Sequence, residues 1–460
     1  MRPLSLSKFH NYCVEGPMEC VISPTEVSKL KILIVNVHSA QNKGDAALVK
    51  MAINILQKVF PWSSVTIAAN DPESFVADER KVGSLIYWMH KVSAKGYMQW
   101  RHGVVAKMLL ASLWALITYK LFGQPCFVGL QQKQKETLQV YFDSDLVVSA
   151  PGNFLYSSGK FGLTFILVAY TMAYAILAGK PLYLLPQSIG PLYRERDRKL
   201  LRWVLERARI VMVREPISLE EIHRAGVRNP RCYIMPDLAF AFQGASREEA
   251  INWLRIWGVD PEAERPLLGV TTINWGARTG NEELQSRYEE ALAAATSYYL
   301  DKFGGTVLYF PQVCSKALVN DDRVPAKRIV ERLGESRRVI LVEETLSPEL
   351  LKAIYGLMDV FIGTRMHSNI FALSNGVPVI AIAYLHKTQG IMQMLGLDRW
   401  VIDIKEITPE KLIDKLIDLW QERERVRYHI QAEIACLVKQ IDLVGLHIAS
   451  DFTLLANSNQ

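Results

Sequence analysis

The sequence lacks the short motifs that mark several common kinds of site. Its six cysteines are dispersed and form no C-x-x-C pair, which argues against a zinc cluster and against a disulfide framework. It has no H-E-x-x-H, no G-x-S-x-G, no P-loop and no G-x-G-x-x-G after a strand-like run. We therefore expect no metal site and no bound cofactor, and in particular no NAD or FAD.

Excess charge of one sign is also small. The chain has 53 Lys and Arg residues against 47 Asp and Glu residues, so the formal net charge is +6 over 460 residues. This bias permits anionic substrates or an anionic membrane surface and does not indicate nucleic acid. With 50% hydrophobic and 22% charged residues, the chain has the composition of a folded protein and the length of two domains.

Long hydrophobic runs are few. The N-terminal residues contain no continuous apolar run typical of a signal peptide. Because the cysteines are dispersed and no N-x-S/T acceptor occurs, we expect a protein of the reducing cytoplasm. Residues 161–179 carry no charge, but a strand-like run follows at once, which favours a core helix. Residues 107–123 are apolar between two lysines and too short to span a bilayer. We interpret them as a helix that is covered by protein or lies on the inner face of the membrane.

Strand-like and helix-like segments alternate along most of the chain. Continuous apolar runs such as 31–37 and 181–188 indicate strands buried on both faces, and helical stripes lie between such runs. This alternation predicts parallel sheets with helices on both faces. The predicted fold class is α/β, with two Rossmann-like doubly wound domains facing a cleft in a GT-B-like arrangement.

A polar stretch after residue 245 divides this pattern into two sets. We predict an N-terminal extension over 1–29, a first domain over 30–245 with a helical insertion at about 83–142, a linker over 246–265, a second domain over 266–407 and a helical segment over 408–460 that packs back on the body. Ligands of doubly wound sheets bind at the carboxyl ends of the strands. The loops after the strands are therefore the places to look for a site.

The clearest polar cluster in the second domain follows the strand-like run that ends at Gly363. Arg365 and His367 stand at the start of the next helix, where backbone N–H groups and the helix dipole favour an anion. An arginine there can grip a carboxylate or phosphate, and a histidine can donate a hydrogen bond or move a proton. Lys387, after another strand, can hold phosphate as a point charge. Each also has an ordinary structural interpretation, as a helix-start or ion-paired residue.

Polar residues also follow the strands of the first domain. Asn42 and Asp45 come after the first strand, and Asp45 either handles a sugar hydroxyl in the cleft or only favours the start of a helix. Asn153 lies in a small-residue loop, and Gln187 and Ser188 stand between two prolines at the end of a strand. These five residues are the candidates for binding a polar acceptor.

At these motifs the sequence resembles the polysaccharide pyruvyl transferase family. The similarity lies in N-x-G-D-A from Asn42, APGNFL, PQSIGP, VRE, PDLAF and GTRMHSNIFALSNGVPVIAIAYLHKTQG, which occur in order between about residues 30 and 400. One departure is Ala150-Pro151-Gly152-Asn153, where members usually carry a Gly-Gly-Gly run. That departure bears on loop shape and acceptor preference.

Members of this family transfer the enolpyruvyl unit of phosphoenolpyruvate to two hydroxyls of one sugar, forming a pyruvate ketal in a cell-surface polysaccharide. The resemblance implies that Arg365 and His367 bind the donor, phosphoenolpyruvate, and that the acceptor is a sugar or a lipid-linked oligosaccharide. We further expect Lys387 to contact the donor, His367 to transfer a proton and Asp45 to act on the acceptor.

Two other functions remain open on the sequence. A nucleotide-sugar glycosyltransferase of the same architecture would need an acidic residue on a ribose, and Glu343 and Glu344 are candidates for it. A non-catalytic module that senses or scaffolds glycan synthesis is the other alternative. The presence of Arg365, His367 and Lys387 weighs against that module.

Overall fold

Two parallel sheets organise the computed structural model, which describes residues 30–76, 79–92, 98–157, 162–315 and 318–458. The predicted extension over 1–29 lies outside the described residues. The strands are β1 (Lys31–Val37), β2 (Ser64–Ala69), β3 (Lys81–Gly83), β4 (His90–Val92), β5 (Met98–Trp100), β6 (Leu146–Ser149), β7 (Gly152–Leu155), β8 (Leu182–Ile189), β9 (Ile210–Val213), β10 (Cys232–Ile234), β11 (Leu267–Thr271), β12 (Thr306–Phe310), β13 (Val339–Leu341), β14 (Val360–Gly363), β15 (Val379–Ala383) and β16 (Val401–Asp403).

Helices connect most of these strands. They are α1 (Lys43–Val59), α2 (Leu85–Met89), α3 (His102–Phe122), α4 (Gln132–Asp143), α5 (Leu163–Leu177), α6 (Glu195–Leu205), α7 (Pro216–Arg224), α8 (Arg247–Ile256), α9 (Trp275–Thr279), α10 (Glu282–Phe303), α11 (Arg323–Leu333), α12 (Pro348–Tyr355), α13 (Met366–Leu373), α14 (His386–Met394) and α15 (Pro409–Ser458).

The strand order of each sheet reverses once, at its centre. The first sheet runs β10-β9-β8-β6-β1-β2-β3, with β7 paired to β8, and the second runs β13-β12-β11-β14-β15-β16. All strand pairs in both sheets are parallel. The reversals lie between β1 and β6 and between β11 and β14, which are the positions where doubly wound folds bind ligands. The predicted α/β fold class with two Rossmann-like domains is confirmed.

The strands form where the sequence has continuous apolar runs, because helices cover both faces of each sheet. Every residue of β8, β12 and β15 is buried. Three short strands of the first sheet were not predicted: β3 and β10 lie at the edges of that sheet, and β7 adds to the end of β8. Each has only three or four residues, too few to show a clear apolar run.

The two apolar segments of the first domain have different environments. Helix α5 is mostly buried in the first domain, as predicted for a core helix. The expectation that the second segment is too short to span a bilayer was wrong, because α3 begins at His102, five residues before the predicted stretch. By length and composition α3 is long and apolar enough to cross a membrane, and 39% of its most apolar window is buried. The region predicted as a helical insertion contains α2, α3 and α4, and also the antiparallel pair β4 and β5.

The last helix joins the two halves of the molecule. In α15, Trp420 stacks on Phe303 of the second domain, with ring centroids 4.4 Å apart. Near its other end, Asp451 accepts hydrogen bonds of 2.9 Å from Arg209 Nε and from the Tyr183 hydroxyl of the first domain. Gly445 lies against α1, where a Cβ would meet Ile55. The boundaries predicted for the domains and the linker stay predictions.

Candidate active site

The loops at the carboxyl ends of the two sheets contact each other directly. Backbone hydrogen bonds join Lys43 N to Gln312 O at 3.1 Å and Cys314 N to Gln41 O at 3.2 Å. These bonds hold the β1–α1 loop of the first domain against the β12–α11 loop of the second. The two points of strand reversal therefore face the same space.

Gly44 of the first domain packs tightly against His367 of the second. A Cβ built on Gly44 would lie 2.1 Å from His367 Nδ1 and 2.4 Å from His367 Cβ. Helix α1 begins directly after Asn42, because the Asn42 side chain caps it by accepting a hydrogen bond of 3.1 Å from the Gly44 N–H. A glycine is required here because any side chain would occupy the volume of the His367 ring.

His367 is buried and lies among charged groups. Its Nε2 has no hydrogen-bond partner among the described residues and stands 3.8 Å from Asp237 Oδ2. Burial lowers the pKa of His367 to about 4, and the charges of Arg214 and Lys387 act in the same direction. The carboxylates of Asp237 and Asp45 oppose this lowering of the pKa. The imidazole is therefore neutral at neutral pH.

The lowered pKa of His367 predicts a loss of stability in acid. Between the unfolded pKa of 6.5 and the folded pKa of about 4, only the unfolded chain binds the proton, so the free energy of unfolding falls as the pH falls through that range. The loss due to this group is about 2–3 kcal/mol at pH 4.5. Urea unfolding at pH 7 and at pH 4.5 should show a smaller loss for His367→Gln than for the wild type. Equal losses in the two proteins would contradict the assigned pKa.

Arg365 is paired with an aspartate that the sequence analysis did not identify. Its Nε lies 3.1 Å from Asp322 Oδ1, and its Nη2 lies 2.5 Å from the same oxygen. Asp322 also accepts hydrogen bonds from the backbone N–H groups of Gln312 and Val313. One edge of the guanidinium is thus occupied within the protein, and Tyr384 also hydrogen-bonds to Arg365. An anion bound by Arg365 would therefore accept hydrogen bonds from the guanidinium N–H groups that these partners leave unoccupied.

Lys387 stands at the first turn of α14 and is half-buried. Its ammonium makes no hydrogen bond or ion pair with any residue that the structure describes. Burial lowers its pKa, while the nearby Tyr384 hydroxyl and Asp45 carboxylate act to raise it. An unpaired cation in partly desolvated surroundings is well placed to bind an anion.

A second buried cation, Arg214, supports the site from the first domain. Arg214 Nη1 donates to Asp237 Oδ2 at 2.6 Å, and Arg214 Nε donates to Ser188 Oγ at 2.8 Å. Glu215 Oε2 lies 3.6 Å from Arg214 and accepts a hydrogen bond from Ser188. Arg214, Glu215 and Asp237 have no exposed surface. This network holds the Asp237 carboxylate beside His367.

The predicted acceptor residues differ in their surroundings. Asn42 Nδ2 donates to Asp45 Oδ2 at 3.0 Å, so both residues take part in the start of α1. The sequence predicted a loop at Asn153, but the residue lies in strand β7 opposite Ser188. The strand forms because β8 extends beyond β6 and offers a free edge. Gln187 and Ser188 are fully buried within β8. A role of these residues in binding an acceptor stays a prediction.

Buried polar atoms without a partner are concentrated near the facing loops. Within the described part of the chain they include His367 Nε2, Asn369 Oδ1 and Nδ2, Arg214 Nη2, Gln187 Oε1, Asn153 Oδ1, Gln312 Nε2, His386 Nε2 and Thr388 Oγ1. Buried polar groups in folded proteins nearly always have hydrogen-bond partners, so such a group of atoms indicates a place that binds a polar ligand.

Residues missed by the sequence analysis fall into two kinds. Asp322 lies in a polar loop before α11, and no spacing links it to Arg365. Arg214 and Asp237 were placed by the sequence at the ends of strands of the first domain, within the VRE and PDLAF motifs, but were given no role. Asn369 is on α13, the helix that carries His367, within the recognised GTRMHSN motif.

The residues considered for binding a ribose lie elsewhere. Glu343 and Glu344 follow β13, the edge strand of the second sheet, which is three places from β14. Both are exposed, and Glu344 accepts a hydrogen bond of 3.2 Å from the Trp257 indole. They are therefore not part of the group around Arg365 and His367.

Comparison with known proteins identifies a family and a relative for the chain. The model of the polysaccharide pyruvyl transferase family matches residues 42–386. The amylovoran biosynthesis protein AmsJ of Erwinia amylovora is 23% identical over 430 residues, which are 92% of this chain and 99% of AmsJ.

Solved structures show the same fold. The S. aureus MnaA–UDP structure has a TM-score of 0.56 at 10% identity, over 93% of this chain and 97% of that one. The UDP-GlcNAc 2-epimerase of Neisseria meningitidis bound to UDP-GlcNAc has a TM-score of 0.53 at 11% identity, over 92% and 100%. Likeness at this level of identity concerns the fold alone. Because the family match extends over residues 42–386, most of the chain, the protein belongs to the polysaccharide pyruvyl transferase family.

Proposed function

We propose that the protein transfers the enolpyruvyl unit of phosphoenolpyruvate to two hydroxyls of one sugar and so forms a cyclic pyruvate ketal. Family membership and the AmsJ relative support a transferase that modifies a polysaccharide. The observation that carries the choice of donor is the half-buried Lys387 ammonium near Arg365, which makes no hydrogen bond or ion pair within the described part of the chain. A donor with both a carboxylate and a phosphate suits two cations at the starts of α13 and α14.

The proposed reaction has a defined proton balance. A proton is added to the methylene carbon of the donor, one hydroxyl attacks the adjacent carbon, phosphate leaves, and the second hydroxyl closes the ketal. Of the two hydroxyl protons, one replaces the proton spent on the methylene carbon and the other leaves with phosphate. At least one base must accept a hydroxyl proton near the reacting carbon.

The surroundings of His367 suit that base. Its imidazole is neutral at neutral pH and its Nε2 is unpaired among the described residues, so it can accept a proton. The imidazolium that forms would be stabilised by Asp237, 3.8 Å away, and by Asp45. Asp45 is proposed to hold the acceptor hydroxyl, and Lys387 and Arg365 to stabilise the departing phosphate.

The acceptor class and the location of the reaction are part of the same proposal. We propose a sugar or a lipid-linked oligosaccharide as acceptor, with Asn42, Asn153, Gln187 and Ser188 as further candidates for binding it. Since phosphoenolpyruvate is a cytoplasmic metabolite, the proposed reaction is cytoplasmic. No resident cofactor takes part in this scheme.

Replacing Lys387 with methionine should weaken donor binding without unfolding the protein. Phosphoenolpyruvate at 100 times its dissociation constant should stabilise the wild type by about 2.7 kcal/mol, and most of this gain should be lost in Lys387→Met. Thermal unfolding with and without phosphoenolpyruvate measures the effect. Lys387 is a better probe than Arg365, because removing Arg365 would leave the buried Asp322 carboxylate without its cation.

The matched control is Lys439→Met, since Lys439 is exposed on α15. It should respond to phosphoenolpyruvate as the wild type does. A wild-type response in Lys387→Met would remove Lys387 from the donor site. A response of the wild type to a nucleotide sugar, with none to phosphoenolpyruvate, would favour the glycosyltransferase alternative.

The reaction itself is tested by product analysis. Phosphoenolpyruvate carrying label at the reacting carbon is incubated with the protein and a panel of polysaccharide and lipid-linked oligosaccharide acceptors. The expected product is an acid-labile carbohydrate pyruvate ketal, formed with an equal amount of phosphate. Transfer of a sugar from a nucleotide sugar, or phosphate release without label in carbohydrate, would contradict the proposal.

A further inference from the structure

One face of α3 is apolar and is not covered by any of the residues that the structure describes. The inner face, which includes Met108, Ala111 and Ala115, is buried within the first domain. The outer face carries exposed large side chains at helical spacing: Leu110 (70% exposed), Leu113 (42%), Trp114 (49%), Ile117 (49%), Leu121 (70%) and Phe122 (76%). A helix that is apolar on all sides needs apolar surroundings on all sides, and here the protein supplies only half of them.

The segment that contains this face is strongly basic. Residues 80–135 contain nine Lys and Arg residues and no Asp or Glu. The whole chain has a net charge of +6, so the residues outside this segment have a net charge of −3. The excess positive charge of the protein therefore comes from this segment. Lys107 and Lys120 lie on α3 itself, Arg101 directly precedes it, and Lys133 lies in the first turn of α4; all four are exposed.

We propose that the outer face of α3 docks the protein on an anionic membrane surface. The exposed leucines and aromatic rings would enter the boundary between headgroups and acyl chains, while the long side chains of Lys107 and Lys120 reach the headgroups. The helix lies on the bilayer rather than crossing it, because its inner face stays packed on the first domain. This inference does not depend on the proposed reaction.

The charge pattern distinguishes this occupant from a second copy of the chain. Two copies that met through their α3 faces would bring two segments of nine positive charges together without any acidic residue of that segment between them. Like charges placed opposite each other oppose association. An anionic lipid surface instead attracts each basic residue near it, and each such residue strengthens binding to the membrane about fivefold.

Sedimentation with lipid vesicles tests the proposal. The full chain is mixed with vesicles of phosphatidylcholine alone or of phosphatidylcholine with 30% phosphatidylglycerol. The wild type should sediment with the anionic vesicles and only weakly with the neutral ones. The double variant Leu110→Gln/Leu121→Gln should partition at least tenfold more weakly, because two exposed apolar side chains are lost from the face. Lys107→Gln/Lys120→Gln should also bind more weakly, about fivefold for each lysine.

The matched control replaces two equally exposed apolar residues outside the segment. Ile256 is 67% exposed and Leu454 is 64% exposed, so Ile256→Gln/Leu454→Gln removes a similar apolar area. This control should bind anionic vesicles as the wild type does. The proposal is overturned if the wild type ignores anionic vesicles, or if the α3 leucine variant binds as well as the wild type. Light scattering that shows a wild-type dimer, a monomeric leucine variant and no vesicle binding would identify the face as a contact between copies.

Discussion

Gly44→Ala should abolish transfer almost as completely as removing the His367 side chain. The new Cβ would stand 2.1 Å from His367 Nδ1 and 2.2 Å from Cγ, and both atoms are close to the root of the side chain. The ring cannot avoid the methyl group by rotating its far end, so α1 and α13 must separate or His367 must leave its position. A displacement of about 1 Å in reacting groups costs about a hundredfold in rate. We therefore expect at least a hundredfold loss, measured as ketal formed from phosphoenolpyruvate.

Gly103→Ala is the matched control for that experiment. Gly103 is also in the first turn of a helix, and a Cβ there meets nothing within 4 Å. The control should keep the wild-type rate. His367→Ala should lose at least a hundredfold as well, and Gly44→Ala in that background should have little further effect, because both changes act on one contact. A wild-type rate in Gly44→Ala would show that transfer does not require the contact between Gly44 and His367.

Arg214→Met should give a large loss of stability. The guanidinium is bonded to Asp237 and Ser188 and lies 3.6 Å from Glu215, and these groups have no exposed surface. Without Arg214, two carboxylates remain buried with no cation bonded to them. Removing one partner of a buried ion pair costs about 3–5 kcal/mol. The free energy of unfolding, measured in urea, should therefore fall by about that amount.

An exposed arginine gives the comparison. Arg224 on α7 forms ion pairs with the exposed Glu220 and with the more buried Glu221, and its own side chain is 64% exposed. Arg224→Ala should change the free energy of unfolding by less than about 1 kcal/mol. In Arg214→Met, adding Asp237→Asn should recover part of the loss, because it removes one of the unpaired charges. An Arg214 variant as stable as the wild type would show that the buried network contributes little.

The position of the candidate site was predicted from the sequence, but the pairing of its side chains was not. Arg365 and His367 were recognised because they follow a buried strand and begin a helix, and the structure has them at the reversal between β11 and β14. Asp322, the partner of Arg365, has no such signal. It lies 43 residues earlier, in a loop whose course depends on how β12 and α11 pack.

Short strands show the same limit. Asn153 was predicted in a loop because four residues cannot display a strand pattern, yet β7 forms against the free edge at the end of β8. The register there depends on β8 being longer than β6, a property of the assembled sheet. A local pattern cannot report such pairing.

The sequence by itself determined the fold class, the alternation of strands and helices, the family and the loops where polar groups gather. Each of these follows from local periodicity or from contiguous motifs, which can be recognised without knowledge of the packing. The tertiary structure alone decided which side chains meet. It decided that Gly44 lies against His367, that Arg365 is held by Asp322, and that Lys387 makes no bond within the described chain. Those contacts join strands and domains far apart in sequence, and their geometry follows from packing the two sheets against each other.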